Sequence, residues 1–105
     1  MVIIETPIFT KKIIDVLSDA EYSNLQWALL INPKAGRVIP GGAGLRKLRW
    51  ALPVKGKRGG LRVIYYLYLE DEAIYMLFPY KKSEQDDLTK EQIKILSKYV
   101  KGGVL

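Results

Sequence analysis

The chain of 105 residues is 49% hydrophobic and 27% charged, which is typical of one small globular domain rather than a disordered segment. It has 17 Lys plus Arg against 11 Asp plus Glu, and it has no cysteine and no histidine. These absences exclude disulfides, cysteine-based zinc sites and catalysis by a thiolate or an imidazole. Any chemistry must therefore use lysine, arginine, tyrosine, carboxylate or hydroxyl groups, and we expect residues 1–105 to fold as a single domain.

The first third of the chain predicts one strand and two helices. Residues 2–4 are β-branched and apolar, as in a short strand. Apolar residues then recur at helical spacing between residues 9 and 17. Ser18 and Glu21 have the spacing of a capping box, which begins a second helix that residues 32–33 (Asn-Pro) end. The two helices follow each other almost without a loop, which predicts a helical hairpin.

The middle of the chain alternates loops with a strand. Residues 33–44 are rich in glycine and proline and lack the Gly-Lys-Ser/Thr of a nucleotide-binding loop. Residues 45–51 alternate between apolar and basic side chains, which predicts a half-buried strand with a basic outer face. This predicted strand has Leu48 and Trp50 on one side and Lys47 and Arg49 on the other. Residues 53–60 are predicted to form a second glycine-rich loop.

Residues 61–69 and 73–80 are the strongest strand segments, and the polar turn between them predicts an antiparallel hairpin. With the turn centred on Asp71, Arg62 lies opposite Tyr80, give or take one residue. Because cross-strand partners share one face of a sheet, we expect a guanidinium and a phenol to meet there.

A third helix is predicted near the C-terminus. Thr89 and Gln92 form a second capping box, and Leu88 and Ile93 have the spacing of a hydrophobic staple. Apolar residues follow at helical spacing, and the glycines at 102–103 end the helix. The predicted order is β-α-α-β-β-β-α, which defines an α+β domain.

Positive charge is concentrated in one block. Residues 22–69 contain nine bases and no acid, whereas the rest of the chain has a net charge of −3. A solvated surface is the ordinary interpretation of scattered lysines, but the lack of any acid here favours a polyanion partner, most often nucleic acid. A membrane partner is disfavoured, because the block has no basic amphipathic helix and the chain no apolar run of about 18 residues. With no basic leader at the N-terminus, we expect a cytoplasmic protein.

These bases predict a cleft beside the hairpin. The loop 53–60 places three cations among glycines, whose backbone amides can approach an oxyanion. Arg62 follows on the next strand, and Tyr80 ends the neighbouring strand at the same end of the sheet. A charged hairpin tip, in which Tyr80 only packs its ring, is the structural alternative. The cleft would gather Lys47, Arg49, Lys55, Lys57, Arg58, Arg62, Lys81 and Lys82 around one phenol.

Such a cleft suits RNA cleavage without a metal ion. Arginine and lysine can stabilise charge on the phosphorane, and a lysine or tyrosine whose pKa is lowered by neighbouring cations can act as the base. The alternative is a metal-dependent nuclease built on one of two acidic clusters. One cluster is a turn and the other precedes a helix, both ordinary places for acids, so the metal-free route is favoured. The clusters are Glu70, Asp71 and Glu72, and Glu84, Asp86 and Asp87.

Three segments together resemble the RelE/ParE toxin superfamily, and within it the HigB-like toxins of toxin–antitoxin pairs. They are residues 44–49 (GLRKLR), 56–66 (GKRGGLRVIYY) and 80–89 (YKKSEQDDLT). Residues 18–22 and 32–33 extend the similarity over nearly the whole chain. The resemblance implies a RelE-like fold, in which an N-terminal strand and a helical hairpin pack on an antiparallel sheet of about four strands.

The resemblance also implies an activity and partners. The activity is that of a ribosome-dependent, metal-independent endoribonuclease that cleaves mRNA in the decoding site and needs no cofactor. A cognate antitoxin, often with a helix-turn-helix region, would neutralise the toxin, and operator DNA would be bound only through that complex. A ParE-like, noncatalytic inhibitor of DNA gyrase and a noncatalytic RNA- or ribosome-binding module are the alternatives.

Carried over position by position, the family motifs imply two groups of site residues. Lys57 and Arg62 match the basic pair around the Gly-Gly turn, and Tyr80 and Lys82 match a Tyr-x-Lys at the end of the last strand. Tyr80 or a lysine would be the base, Lys57 and Lys82 would neutralise charge or donate a proton, and Arg62 would hold the scissile phosphate. The residues implied to hold the RNA backbone are Lys47, Arg49, Lys55, Arg58 and Lys81.

Overall fold

The computed structural model describes residues 1–52 and 60–101, and this part of the chain forms five strands and three helices. The strands lie side by side in one sheet in the order β1-β5-β4-β3-β2. The strands are β1 Val2–Glu5, β2 Arg37–Val38, β3 Arg46–Trp50, β4 Leu61–Tyr68 and β5 Ala73–Lys81, and the helices are α1 Pro7–Ile13, α2 Asp19–Ile31 and α3 Lys90–Lys101.

The α+β class and the predicted order of elements are confirmed, but the sheet differs from the predicted one in two ways. β1 pairs with β5 in parallel, while the other pairs are antiparallel, so the sheet is mixed. The short β2 lies within the predicted loop 33–44 and makes a fifth strand. β2 has only two residues, too few to show an alternating pattern, and the four residues of β1 do not reveal whether they pair in parallel or antiparallel. The sequence therefore predicts neither the fifth strand nor the parallel pairing.

Local capping begins the helices where the sequence predicts. The Thr6 hydroxyl accepts a hydrogen bond from the Phe9 amide at 3.2 Å at the start of α1. Ser18 and Glu21 form the complete capping box of α2. The apolar pattern up to residue 17 overstates α1, which ends at Ile13; the chain then turns, although Leu17 stays buried. The predicted box at the start of α3 is also present, in the reciprocal bonds of Thr89 and Gln92.

The sheet separates two hydrophobic cores, one on each of its faces. On one face, α1 and α2 pack their apolar side chains against alternate residues of β3, β4 and β5. On the other face, α3 covers the intervening residues. The fully buried side chains of the helical-hairpin face include Phe9, Leu25, Leu29, Leu61 and Val63, and those of the α3 face include Leu45, Ile64 and Leu77. No helix in the described ranges has the length and apolar character needed to cross a membrane.

A β-bulge sets the register of the central hairpin. Near the turn the pairing begins with Tyr68 opposite Ala73, and between Ile64 and Tyr65 it shifts by one residue, which leaves Leu77 without a partner. The Leu77 carbonyl instead accepts a hydrogen bond from the Thr6 hydroxyl at 3.0 Å. The extra residue gives the sheet a local irregularity that the alternation of side chains alone does not predict.

Candidate active site

Three polar side chains form a row across the three central strands, near one end of each. Arg49 of β3 lies opposite Arg62 of β4, and Arg62 lies opposite Tyr80 of β5, as the sequence predicts. Because cross-strand partners share a face, all three are on the α3 face of the sheet. Without the bulge at Leu77, the pairing near the turn would place Pro79 opposite Arg62 and turn Tyr80 to the other face. The bulge therefore creates the arginine–phenol row.

The row borders a groove between β3 and the start of α3. The groove encloses about 570 Å³, and its charged lining consists of Arg37, Lys47, Arg49 and Asp87. Lys47 and Arg49 were predicted to bind RNA, and the structure places both there. Arg37 was one of the nine bases of the acid-free block but was not assigned to the site. It enters the groove because the short β2 pairs with β3, a contact that local pattern does not reveal.

The loop that brings Arg37 to the groove is fixed from inside the sheet. The Tyr65 hydroxyl donates to the Pro33 carbonyl at 2.7 Å and accepts from the Gly36 amide at 2.9 Å. Arg46 donates to the Gly36 carbonyl at 2.8 Å. A Cβ on Gly36 would lie 2.7 Å from the Tyr65 ring, so only glycine fits this approach. The buried tyrosine thus holds one wall of the groove in place.

Asp87 connects the wall of the groove to the phenol. Its carboxylate accepts from the Lys47 ammonium at 3.1 Å, from the Leu88 amide at 2.9 Å and, at a long 3.5 Å, from the Tyr80 hydroxyl. The hydrogen bond from Lys47 is the main reason that the pKa of Asp87 is lowered. The sequence suggested Asp87 only as a member of an acidic cluster, and its ion pair with Lys47 joins segments 40 residues apart.

The pKa of Tyr80 shifts in the direction opposite to the sequence expectation. Neighbouring cations were expected to lower it, and Arg62 and Arg49 do act in that direction. Burial and the charge of Asp87 outweigh them and raise the pKa of Tyr80 to about 12. The side chain is 4% exposed, so desolvation of the phenolate is the larger effect. The Tyr80 hydroxyl therefore stays protonated at neutral pH, and whether it acts as a base or as an acid stays a prediction.

The two lysines after Tyr80 differ in position. Lys81 lies opposite Leu61, whose side chain is in the core of the helical-hairpin face, so Lys81 is on the other side of the sheet from Tyr80. Lys82 donates to the Asp86 carbonyl at 2.6 Å, and its amide donates to the Gly60 carbonyl at 3.0 Å. The sheet thus separates Lys81 from Tyr80, whereas Lys82 is held by these contacts just after the end of β5.

Gly60 fixes the backbone at this corner. Its φ of +62° is in the left-handed region, and a Cβ there would lie 2.5 Å from the Trp50 carbonyl oxygen. Only glycine satisfies both conditions, which keeps β4 close to the end of β3. The neighbouring bases Lys55, Lys57 and Arg58 lie outside the described residues, and their predicted roles stay predictions.

Arg62 is the central residue of the row. It is 7% exposed, and its guanidinium donates to the Leu61 carbonyl at 3.4 Å. A guanidinium held in partly desolvated surroundings interacts with nearby charge more strongly than one in water. Within residues 1–52 and 60–101, no three acidic side chains come together in a way that could hold a metal ion.

One comparison to known proteins identifies the family of this chain. The family model of the RelE toxin of the RelE/RelB toxin–antitoxin system matches residues 37–103. The match includes β2 to β5 and α3, and it is longer than half of the chain. The chain belongs to this RelE toxin family. It is the toxin of a type II toxin–antitoxin pair, and an antitoxin is its partner. The predicted resemblance is confirmed at the level of the family, and the HigB-like branch stays a prediction.

Proposed function

We propose that this toxin is a ribosome-dependent endoribonuclease that cleaves mRNA in the decoding site, without a metal ion or other cofactor, and so inhibits translation. The row of Arg49, Arg62 and Tyr80 beside a basic groove is the observation that supports it. A protein that acted only as an inhibitor would have no need of a buried phenol between cations. In this proposal residues 1–105 act as one toxin domain.

The groove residues supply the electrostatic part of the reaction. The 2′-hydroxyl of the RNA loses its proton and its oxygen attacks the neighbouring phosphorus, and the bond from phosphorus to the 5′-oxygen breaks. The products are a 2′,3′-cyclic phosphate and a 5′-hydroxyl. In this proposal Arg62 and Arg49 stabilise the negative charge on the pentacoordinate phosphorane. Such preorganised charge is often the largest contribution to catalysis.

Tyr80 supplies the proton for the leaving group. With a pKa of about 12, roughly one phenol in 10⁵ is ionised at pH 7, so Tyr80 cannot serve as an efficient base. A protonated phenol can donate to the 5′-oxygen as the bond to phosphorus breaks. The base that takes the 2′-hydroxyl proton is then a lysine, and Lys57 and Lys82 are the two candidates. Lys47, Lys55 and Arg58 bind the RNA backbone in this proposal, whereas Lys81, predicted for the same role, is on the other side of the sheet.

The partners follow from the proposed activity. The toxin acts in the cytoplasm on a ribosome that carries mRNA. The antitoxin carries a helix-turn-helix region, and operator DNA is bound only by the toxin–antitoxin complex. A gene for a small helix-turn-helix protein directly beside this one would support that assignment.

The experiment that tests the function expresses the toxin alone and maps mRNA ends by primer extension. We expect growth arrest with cuts at codon boundaries, and we expect the purified toxin to cut mRNA on ribosomes but not free mRNA. Arg49→Gln should slow cleavage about 100-fold, because the variant loses a charge that faces the phosphorane. Lys11→Gln is the matched control, since it removes one exposed charge on α1, and it should cleave like the wild type.

Other outcomes would assign other functions. Growth arrest with intact mRNA and damaged DNA would indicate the ParE-like inhibition of gyrase and contradict our proposal. Growth without arrest, with binding to ribosomes, would indicate a noncatalytic module. Equal cleavage by Arg49→Gln and Lys11→Gln would show that the arginine–phenol row is not the active site.

A further inference from the structure

The C-terminal helix exposes a row of lysines beside a second cavity. Lys90, Lys94 and Lys98 follow one another at intervals of four residues, which places them on one side of α3. A cavity of about 490 Å³ lies between this side of α3 and the loop at Pro40 and Gly41. All three lysines line it, and no acidic residue does. We call these three residues the lysine track.

The lysine track continues the groove of the candidate active site. The two cavities share Pro40 and Ile93 in their linings, so they meet along the start of α3. The groove contributes Arg37, Lys47 and Arg49 to the joint surface. Asp87 is the one acid among the lining residues of the two cavities, and it is already paired with Lys47. The joint surface is therefore a continuous positive channel.

The lysines of the track have no part in holding the described fold together. Neither of the ion pairs found among residues 1–52 and 60–101, Lys47 with Asp87 and Lys82 with Asp86, involves them. All three side chains are exposed. The acidic Glu91 is on the same helix but does not line the cavity. Exposed ammonium groups that are not engaged in ion pairs are available to an external anion.

We propose that the lysine track binds the phosphates of RNA next to the cleavage groove. The proposal rests on the proposed function for the nature of its ligand. From Lys90 to Lys98 the helix rises by about 12 Å, which matches about three to four phosphates of a stacked strand. Lysine contacts with phosphates fix position without reading sequence. The track adds affinity and orientation, whereas the groove performs the reaction.

Two RNA molecules offer this chemistry, the mRNA strand that passes through the groove and ribosomal RNA. The variant Lys94→Gln/Lys98→Gln removes two charges of the track and leaves the groove untouched. The control Lys11→Glu changes the net charge by the same two units at an exposed position in the last turn of α1. Both are measured against a labelled 12-nucleotide single-stranded RNA by fluorescence anisotropy, and against ribosomes without mRNA by co-sedimentation, at several salt concentrations.

We expect the track variant to lose affinity by about 10- to 30-fold at 0.1 M salt in at least one of the two assays. The slope of log affinity against log salt should fall by about 1.4, because each phosphate contact contributes about 0.7 for single strands. A loss with the oligonucleotide identifies the mRNA strand, and a loss with ribosomes alone identifies ribosomal RNA. The control should remain within about threefold of the wild type.

The proposal is overturned if the track variant and the control behave alike in both assays. It is equally overturned if the track variant loses only its inhibition by the antitoxin, because the track would then be a protein-binding surface. The result is independent of cleavage. A wild type that binds RNA but does not cleave it would contradict the proposed function alone, and a track variant that binds like the control in a cleaving protein would contradict the track alone.

Discussion

The two faces of the sheet are built from the same strands but differ in how the tyrosine hydroxyls on each face are hydrogen-bonded. On the helical-hairpin face, the Tyr65 hydroxyl is engaged twice at 2.7 and 2.9 Å, and the Tyr22 hydroxyl donates to Glu5 at 2.7 Å. On the α3 face, the Tyr80 hydroxyl has a long 3.5 Å contact with Asp87 and lies next to arginines. The Tyr65 and Tyr22 hydroxyls are held by short hydrogen bonds within the fold, whereas Tyr80 makes a longer hydrogen bond beside two arginines.

This difference arises from the alternation of side chains along each strand. In β4, Val63 and Tyr65 enter the helical-hairpin core, while Arg62 and Ile64 are on the α3 side. One strand can therefore carry part of a closed core and part of a reactive site on neighbouring residues. Stability and activity are then separable by substitution.

The largest expected effect concerns the two phenols. Tyr80→Phe should reduce the rate of mRNA cleavage at least 100-fold, because it removes the proton donor and keeps the ring. Tyr22→Phe, on the other face, should change the rate less than twofold. Both rates are measured with purified toxin on programmed ribosomes, with thermal unfolding as a check of folding. A Tyr80→Phe toxin that cleaves within threefold of the wild type would remove Tyr80 from the mechanism.

The two cores provide the next comparison. Leu25→Ala should lower the free energy of unfolding by about 2–5 kcal/mol, because Leu25 is fully buried between α2 and the sheet. Leu96→Ala, on α3, should cost less, since Leu96 retains 8% exposure at the edge of its core. Urea unfolding measures both values. A larger loss for Leu96→Ala would reverse the assignment of the helical-hairpin face as the main stabilising core.

A smaller effect is expected where the closed face supports the groove. Tyr65→Phe leaves the Pro33 carbonyl and the Gly36 amide without their partner, which should cost about 1–3 kcal/mol. Cleavage should also slow modestly, because the loop that carries Arg37 loses its anchor. Tyr68→Phe is the control, since its hydroxyl meets Glu70 at the surface and should change stability by less than about 0.5 kcal/mol. Equal stabilities of the two variants would refute the anchoring role.

The smallest expected effect is the pH dependence of stability that the Tyr80 hydroxyl produces. The folded-state pKa of Tyr80, about 12, exceeds the ordinary value of 10.0, so the folded state binds this proton more tightly than the unfolded state. The resulting stabilisation is complete below pH 10 and is lost as the pH rises through about 12. Ultraviolet absorbance of the phenolate, with Tyr80→Phe subtracted, should place the midpoint above 10.

Asp87→Asn sharpens this measurement. The charge of Asp87 raises the pKa of Tyr80, so the variant should move the midpoint to lower pH. The effect on stability should be below about 1 kcal/mol, because the Asp87 side chain is 66% exposed in its ion pair with Lys47. A midpoint that stays in place would show that burial alone sets the pKa of Tyr80.

The pairing of Arg62 with Tyr80 shows how far sequence reasoning reached and where it was helped by chance. A turn centred on Asp71 predicts this pair, but the pairing next to the turn begins one residue out of that register. The bulge at Leu77 restores it. The predicted pairing is confirmed, while the feature that makes it right involves a Thr6 hydroxyl 71 residues away.

Alternation, capping residues and the acid-free block determined the class of the fold, the helix starts and the location of the positive charge. These signals are local, since each depends on residues that are near neighbours in the chain. The parallel entry of β1, the fifth strand, the entry of Arg37 and Asp87 into the groove and the lysine track beside it were decided by tertiary structure. The composition, basic and without histidine, limits the proposed catalyst to lysine, arginine, tyrosine, carboxylate or hydroxyl groups. Only the tertiary structure shows that the pKa of Tyr80 is raised rather than lowered, because desolvation and the charge of Asp87 outweigh the neighbouring arginines.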